Sequence, residues 1–275
     1  MARAARRRRS AHKSTSNALW AGVLIALPVL ALAGFGFVYF TIQRGPVLDK
    51  MTLCPVNGPR SVSVLLIDAS DDLPAAAKRE LAKILNDEAE ALAPYGLLDI
   101  RLLDPATARS HSIFARCNPG DGAGLSEWTA NPALARKRWT TSFQQPVSEA
   151  IERSLGAAPS LLSPIMAAIQ DIAIERFTGR AAETSTRRLI VISDMIENDP
   201  DYSQYNVDLS YARYKKSTAY QKFSTDLHAA DVSIYYVQRL MKHPIDATAL
   251  VRFWSDWIAD NNGRLRSVTR LQGAA

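Results

Sequence analysis

Cysteine and histidine are scarce in this chain, and their scarcity removes whole classes of chemistry. There are two cysteines, Cys54 and Cys117, and four histidines, His12, His111, His228 and His243. None lies at ligand spacing from another, which excludes a zinc site of that pattern. There is no Gly-x-Ser-x-Gly elbow and no Gly-x-x-x-x-Gly-Lys-Ser/Thr loop, so neither a hydrolase nucleophile turn nor a P-loop is present. The turn-rich stretch Asn118–Gly124, NPGDGAG, opens no clear helix and is not a dinucleotide fingerprint. Repeats and low-complexity tracts are absent from the body of the chain. Excess basic charge is absent there too. The net charge is +6, and Arg3, Arg6, Arg7, Arg8, Arg9 and Lys13 supply six positive charges before residue 17. Taking those six from 33 basic residues leaves 27, equal to the 27 acidic ones. A formally neutral body argues against nucleic-acid binding, which needs basic residues clustered on the folded surface.

Only one apolar run is long enough to cross a bilayer. Ala18–Phe40 carries no charge over 23 residues, about 34 Å as a helix. Trp20 and Tyr39 suit interfacial anchors, and Pro28 is tolerated in such helices. The basic tail before it and the lone Arg44 after it orient the tail to the cytoplasm. The expected organisation is a basic cytoplasmic tail over 1–17, a transmembrane helix over 18–42, a Pro/Gly-containing linker over 43–60 and a folded domain over 61–275. That layout puts the domain in the periplasm of a single-pass inner-membrane protein. A rival reading is a signal peptide cleaved after Ala31-Leu32-Ala33; the apolar run continues past that point. An exported domain is disulfide-permissive, so a Cys54–Cys117 bridge is expected, with two unrelated thiols as the alternative.

What organises the chain is Ser61–Pro74, SVSVLLIDASDDLP. Val62 and Val64–Ile67 form a short apolar, β-branched-rich run, the pattern of a strand buried on both faces of a parallel sheet. It ends abruptly in Asp68-Ala69-Ser70-Asp71-Asp72. A helical stripe of Ala77, Leu81, Ile84, Leu85 and Leu92 follows. Oxygen-bearing side chains therefore crowd the carboxyl end of a core strand, where open α/β sheets bind ligands. Carboxylates and hydroxyls suit hard cations such as magnesium.

The remaining pattern alternates. Strands are expected at Leu97–Leu103, His111–Arg116, Arg187–Asp194, Val232–Gln238 and Arg264–Leu271. Helices are expected over Pro132–Leu155, Pro164–Phe177, Tyr214–Ala230 and Thr248–Asn261, with Asn198–Ser210 as a loop. This implies an α/β fold with a doubly wound, mostly parallel, Rossmann-like sheet. Trp128, Trp139, Trp254 and Trp257 stand at helical positions and read as packing. Tyr202, Tyr205, Tyr211 and Tyr214 either rim a recognition surface or pack a long loop down.

Three places in this pattern resemble the metal-ion-dependent adhesion site of von Willebrand factor A (VWA) domains. The family's first motif, Asp-x-Ser-x-Ser, stands here as Asp68-Ala69-Ser70-Asp71-Asp72, with aspartate for the last serine. Its second, a threonine opening a helix, is matched by Ser163-Pro164-Ile165, with serine for threonine. Its third, an aspartate after a hydrophobic strand and often before glycine, is matched by Asp194, with Met195 for the glycine. The resemblance covers most of 61–271. It implies a non-enzymatic recognition module in which Asp68, Ser70, Asp72, Ser163 and Asp194 gather a magnesium or manganese ion, and an acidic side chain of a protein partner completes the site. Two alternatives stand beside it. One is a metal-free scaffold of the same fold. The other is a metal-dependent phosphoester hydrolase with Asp68 as nucleophile, although Ser70 occupies the place of the acid/base aspartate such enzymes use.

Overall fold

A computed structural model describes residues 15–41, 46–68, 75–125, 127, 130–154, 160–179, 185–205, 208–237 and 245–271. The chain forms two compact units, residues 1–46 and 47–275. The first contains one helix, α1, Thr15–Thr41, 27 residues long with Pro28 inside it. Of its side chains, Trp20 and residues 22–37 are described, and nearly all are exposed. Counted over the described residues, no helix is long and apolar enough to cross a membrane.

The second unit is a mixed α/β domain. Its strands are β1 (Ser61–Ile67), β2 (Leu97–Asp104), β3 (Arg109–Cys117), β4 (Thr186–Ser193), β5 (Asn198–Asp199), β6 (Tyr202–Ser203), β7 (Asp231–Tyr236) and β8 (Arg264–Arg270). Six of them form one sheet in the order β3-β2-β1-β4-β7-β8. All neighbours run parallel except β2 and β3, an antiparallel pair at one edge. The chain works outward from β1 in one direction, then returns and works outward from β4 in the other. This is the doubly wound order, and its reversal point lies between β1 and β4.

Alternation along β1 makes the two layers. Val62, Val64 and Leu66 face one core with α5 (Ile165–Arg176) and α8 (Ala247–Asp260). Leu65 and Ile67 face the other with α2 (Ala75–Glu90) and α4 (Gln145–Ser154). Six of the strand's seven residues are buried, which explains its continuous apolar run. Trp254 and Trp257 on α8 lie in the first core and Trp139 in the second, as packing residues; Trp128 lies outside the described residues.

Two expected helices are subdivided. The stretch Pro132–Leu155 splits into α3 (Pro132–Trp139), a π turn (Thr140–Gln144) and α4. Pro146 has no N–H to give the carbonyl of Ser142 four residues back. Arg116 Nη1 donates to that carbonyl instead, at 3.0 Å. The stretch Tyr214–Ala230 contains the last residue of α6 (Tyr211–Tyr214) and α7 (Thr218–Lys222), followed by an irregular run. Tertiary contacts override helix propensity there. Thr225 N and Leu227 N donate to the side chain and the carbonyl of Asn261, after α8. His228 and Ala229 both take positive φ. The expected loop Asn198–Ser210 includes the small β5-β6 ribbon.

The stretch expected as a linker has fixed structure from Val47 on. Leu48 and Pro55 form an antiparallel bridge, and Cys54 is bonded to Cys117 with Cα atoms 4.8 Å apart. Cys117 N also donates to Thr52 O at 2.8 Å.

Candidate functional site

The reversal point between β1 and β4 is the place to look. β1 and β4 are in register as Ile67 opposite Ile192, and the ladder runs one bond further, from Asp68 N to Ile192 O at 2.9 Å. Asp68 and Ser193 therefore stand side by side at the carboxyl ends of two core strands. Ser193 Oγ donates to Asp68 Oδ2 at 2.8 Å and accepts from Met195 N at 2.9 Å. Ser163 Oγ donates to the same Asp68 oxygen at 2.7 Å.

Ser163 reaches Asp68 because its backbone is stitched to Asn198. Ser163 N donates to Asn198 O at 2.9 Å, and Asn198 N returns a bond to Ser163 O at 3.0 Å. Its hydroxyl is not the cap of α5. The helix starts at Ile165 behind Pro164, which provides no side-chain cap. Glu197 takes over that duty, its Oε2 accepting from Met166 N at 2.8 Å. A carboxylate suits the positive end of a helix, but this one is fully buried and its Oε1 has no hydrogen-bond partner among the described residues. Burial pushes its carboxyl well above the ordinary value of 4.5; the Met166 N–H opposes this, and the charges of Asp199 and Asp68 add to it.

Asp194 lies one residue beyond Ser193 and is buried. Its Oδ1 accepts from Ile196 N at 2.9 Å, closing a tight turn. Met195, in that turn, takes φ 58°, the left-handed conformation natural to glycine. Its side chain is buried in the core, and its carbonyl accepts from Trp254 Nε1 at 2.6 Å. Ser70 and Asp72 lie outside the described residues.

Sequence reasoning missed Ser193 and Glu197. A hydroxyl at the last strand position was visible in the run RRLIVISD. Nothing local marks Glu197, whose role depends on a helix thirty residues earlier. Of the four tyrosines, Tyr202 and Tyr214 are buried and pack edge-to-face at 5.0 Å between centroids, beside Phe253. These two hold the loop down; Tyr205 is exposed.

The gathered donors are all oxygens. Asp68, Ser163 and Ser193 meet at one point, and the two hydroxyls direct their protons at the carboxylate. That donor set fits a hard cation. Among the described residues no group of three His, Cys, Asp or Glu side chains is placed to hold a metal ion.

No family model and no curated protein matches the chain. Among solved structures it is similar to an aerotolerance-related membrane protein from Bacteroides fragilis NCTC 9343 with multiple mutations to serines. That match has 12% identity and a TM-score of 0.39, and covers 78% of this chain and 92% of that one. It is similar to the conserved hypothetical protein BatB from Bacteroides thetaiotaomicron at 13% identity and a TM-score of 0.38, over 76% of this chain and 89% of that one. It is also similar to the SpRpn10 VWA domain at 12% identity and a TM-score of 0.38, over 78% and 91%. Function is not carried across at such scores; the doubly wound fold rests on the strand order and register above.

Proposed function

We propose that this chain is a membrane-anchored, VWA-like recognition module, not an enzyme, that binds a protein partner through a divalent-cation site in an envelope complex. The observation that carries this reading is the meeting of Asp68, Ser163 and Ser193 at the reversal point of the sheet. Two of the three positions that resemble the VWA motifs, 95 residues apart in sequence, touch there. Asp68 and Ser163 would hold a magnesium or manganese ion, with Ser70, Asp72 and Asp194 as the further members of the set. The ion would supply a positive centre to which an Asp or Glu of the partner can bind. Asp68 orients the two hydroxyls by accepting their protons, and Glu197 fixes the start of α5 and so the loop that delivers Ser163. The charge-free 23-residue run Ala18–Phe40 of the sequence supports the anchor, with the basic tail in the cytoplasm and the domain in the periplasm.

The metal-free scaffold is the second reading. It is favoured by the two serine hydroxyls bonded to Asp68 Oδ2, which satisfy that oxygen with donors of the protein itself.

Calorimetry on the full chain in detergent separates the two. Millimolar magnesium or manganese is expected to give binding heat and a raised melting temperature. Asp68→Ala is expected to abolish both while the far-ultraviolet circular dichroism stays unchanged, because the side chain sits at a strand end. If neither ion gives heat or a melting shift with the unaltered chain, the scaffold reading replaces the first. The orientation is tested by reporter fusions. A periplasm-active reporter after residue 275 is expected to be active and one after residue 16 inactive; the reverse pattern overturns the topology.

A further inference from the structure

The hairpin at 47–56 displays apolar side chains in a way that packing does not explain. Val56 N donates to Val47 O at 3.0 Å, and Leu48 bridges Pro55. Val47 and Val56 are thus directly opposite on one face of an antiparallel pair, with side chains in contact range. They are 77% and 71% exposed, and Met51 at the tip is 79% exposed. Single exposed apolar residues are ordinary, but a facing pair plus a tip within ten residues forms a patch.

The display is rigid. Asp49 Oδ1 accepts from Met51 N at 3.0 Å, Thr52 N at 2.7 Å and Thr52 Oγ1 at 2.9 Å. Those bonds occupy Oδ1 of the acidic group beside the tip and lower its pKa, chiefly through the bond from Thr52 N–H, so Asp49 stays ionised next to Lys50. The Cys54–Cys117 bond and the Cys117 N–Thr52 O bond tie the hairpin to β3. Met51 is therefore held outward with Lys50 as its neighbour, an apolar tip with a cation beside it.

We infer that this hairpin docks onto the surface of the bilayer that holds α1, with Val47, Met51 and Val56 at the acyl boundary and Lys50 at the phosphates. The occupant follows from the chain itself. Only residues 42–46 separate α1 from Val47, and six extended steps reach at most about 21 Å. An exposed apolar patch with a lysine at its tip is the kind of surface that partitions into an interface. The inference rests on the membrane-anchor reading of α1 and adds a second contact that the anchor does not require.

The test uses the full chain in vesicles of phosphatidylethanolamine and phosphatidylglycerol doped with an alkyne-bearing phospholipid. A photoreactive benzophenone amino acid replaces Met51 in one variant and Leu161 in another. Leu161 is 92% exposed and lies beside Ser163, at the opposite end of the sheet from the hairpin. Position 51 is expected to give at least about fivefold more lipid adduct than position 161, since only a side chain immersed in the interface meets acyl chains. Val47→Ser with Val56→Ser in the position-51 variant is expected to cut the adduct by more than half. If the chain floats with the vesicles but position 51 gives no excess, or couples to a second copy of the chain instead, the inference falls and the anchor stands. If the chain does not float with the vesicles at all, the anchor reading itself falls and takes this inference with it.

Discussion

Two clusters of acidic residues are buried in this domain, and they are held in opposite ways. At the β2-β3 edge Asp99 meets arginines. Arg176 Nε donates to Asp99 Oδ2 at 2.6 Å, and Arg101 Nη1 lies 3.6 Å from the same oxygen. Arg101 also reaches Glu175 at 2.7 Å and Asp171 at 3.6 Å. At the carboxyl end of β1 and β4, Asp68 is held by serine hydroxyls, and Asp194 and Glu197 by backbone N–H groups. Cations built into the fold offset the first cluster's desolvation. The bonds named at the second come from serine hydroxyls and backbone N–H groups. The first arrangement is structural; the second is the one that the proposed function assigns to a ligand cation.

The sharpest way to break this contrast is at Arg101. Arg101→Ala leaves Asp99 and Asp171 buried with less positive charge, and is expected to cost about 3–5 kcal/mol in urea unfolding. A loss below about 1 kcal/mol would show that the edge cluster does not depend on its own cations. Close in size is the disulfide at the amino end of the sheet. Cys54 and Cys117 are 63 residues apart, and replacing both by serine should cost about 4 kcal/mol through the freedom returned to the unfolded chain. Two alkylatable thiols in unreduced protein would overturn this.

Met195 sharpens the comparison from the site's side. Met195→Gly relieves about 1–2 kcal/mol of left-handed backbone strain but gives up a buried side chain usually worth about 2–5 kcal/mol. The net is an expected loss of about 1–3 kcal/mol. A stabilised variant would mean that strain dominates at this turn.

The smallest effect concerns Glu197 and pH. Its folded carboxyl titrates above its ordinary 4.5, so the folded state keeps the proton longer than the unfolded chain does. The stability tied to this group is complete below pH 4.5 and is lost as the pH rises through the folded value. Glu197→Gln keeps an acceptor for Met166 N–H and cannot ionise. The melting-temperature gap between variant and parent is expected to grow in the variant's favour from about pH 4 to about pH 8. A constant gap would place Glu197's proton uptake outside folding.

Much of this was legible in the residues. The apolar run of β1 and the stripe of α2 are local patterns, and periodicity alone marks them. The strand ends at Asp68 and Ser193-Asp194 follow from where apolar runs stop. The helix breaks were less accessible. Pro146 was visible, but the π turn also needs Arg116 from β3, and the missing helix after Lys222 needs Asn261 from beyond α8.

The sequence by itself determined the strands of the main sheet, helices α2, α5 and α8, the doubly wound class, and the positions where oxygen-bearing side chains leave the sheet, because these depend on neighbours a few residues away. Only the tertiary structure decided which oxygens meet. Ser163 is brought to Asp68 by a backbone bridge to Asn198, and the first turn of α5 is capped by Glu197. Those contacts join segments 31 to 125 residues apart. No local rule encodes such pairings, since they are set by how β1, β4 and α5 pack.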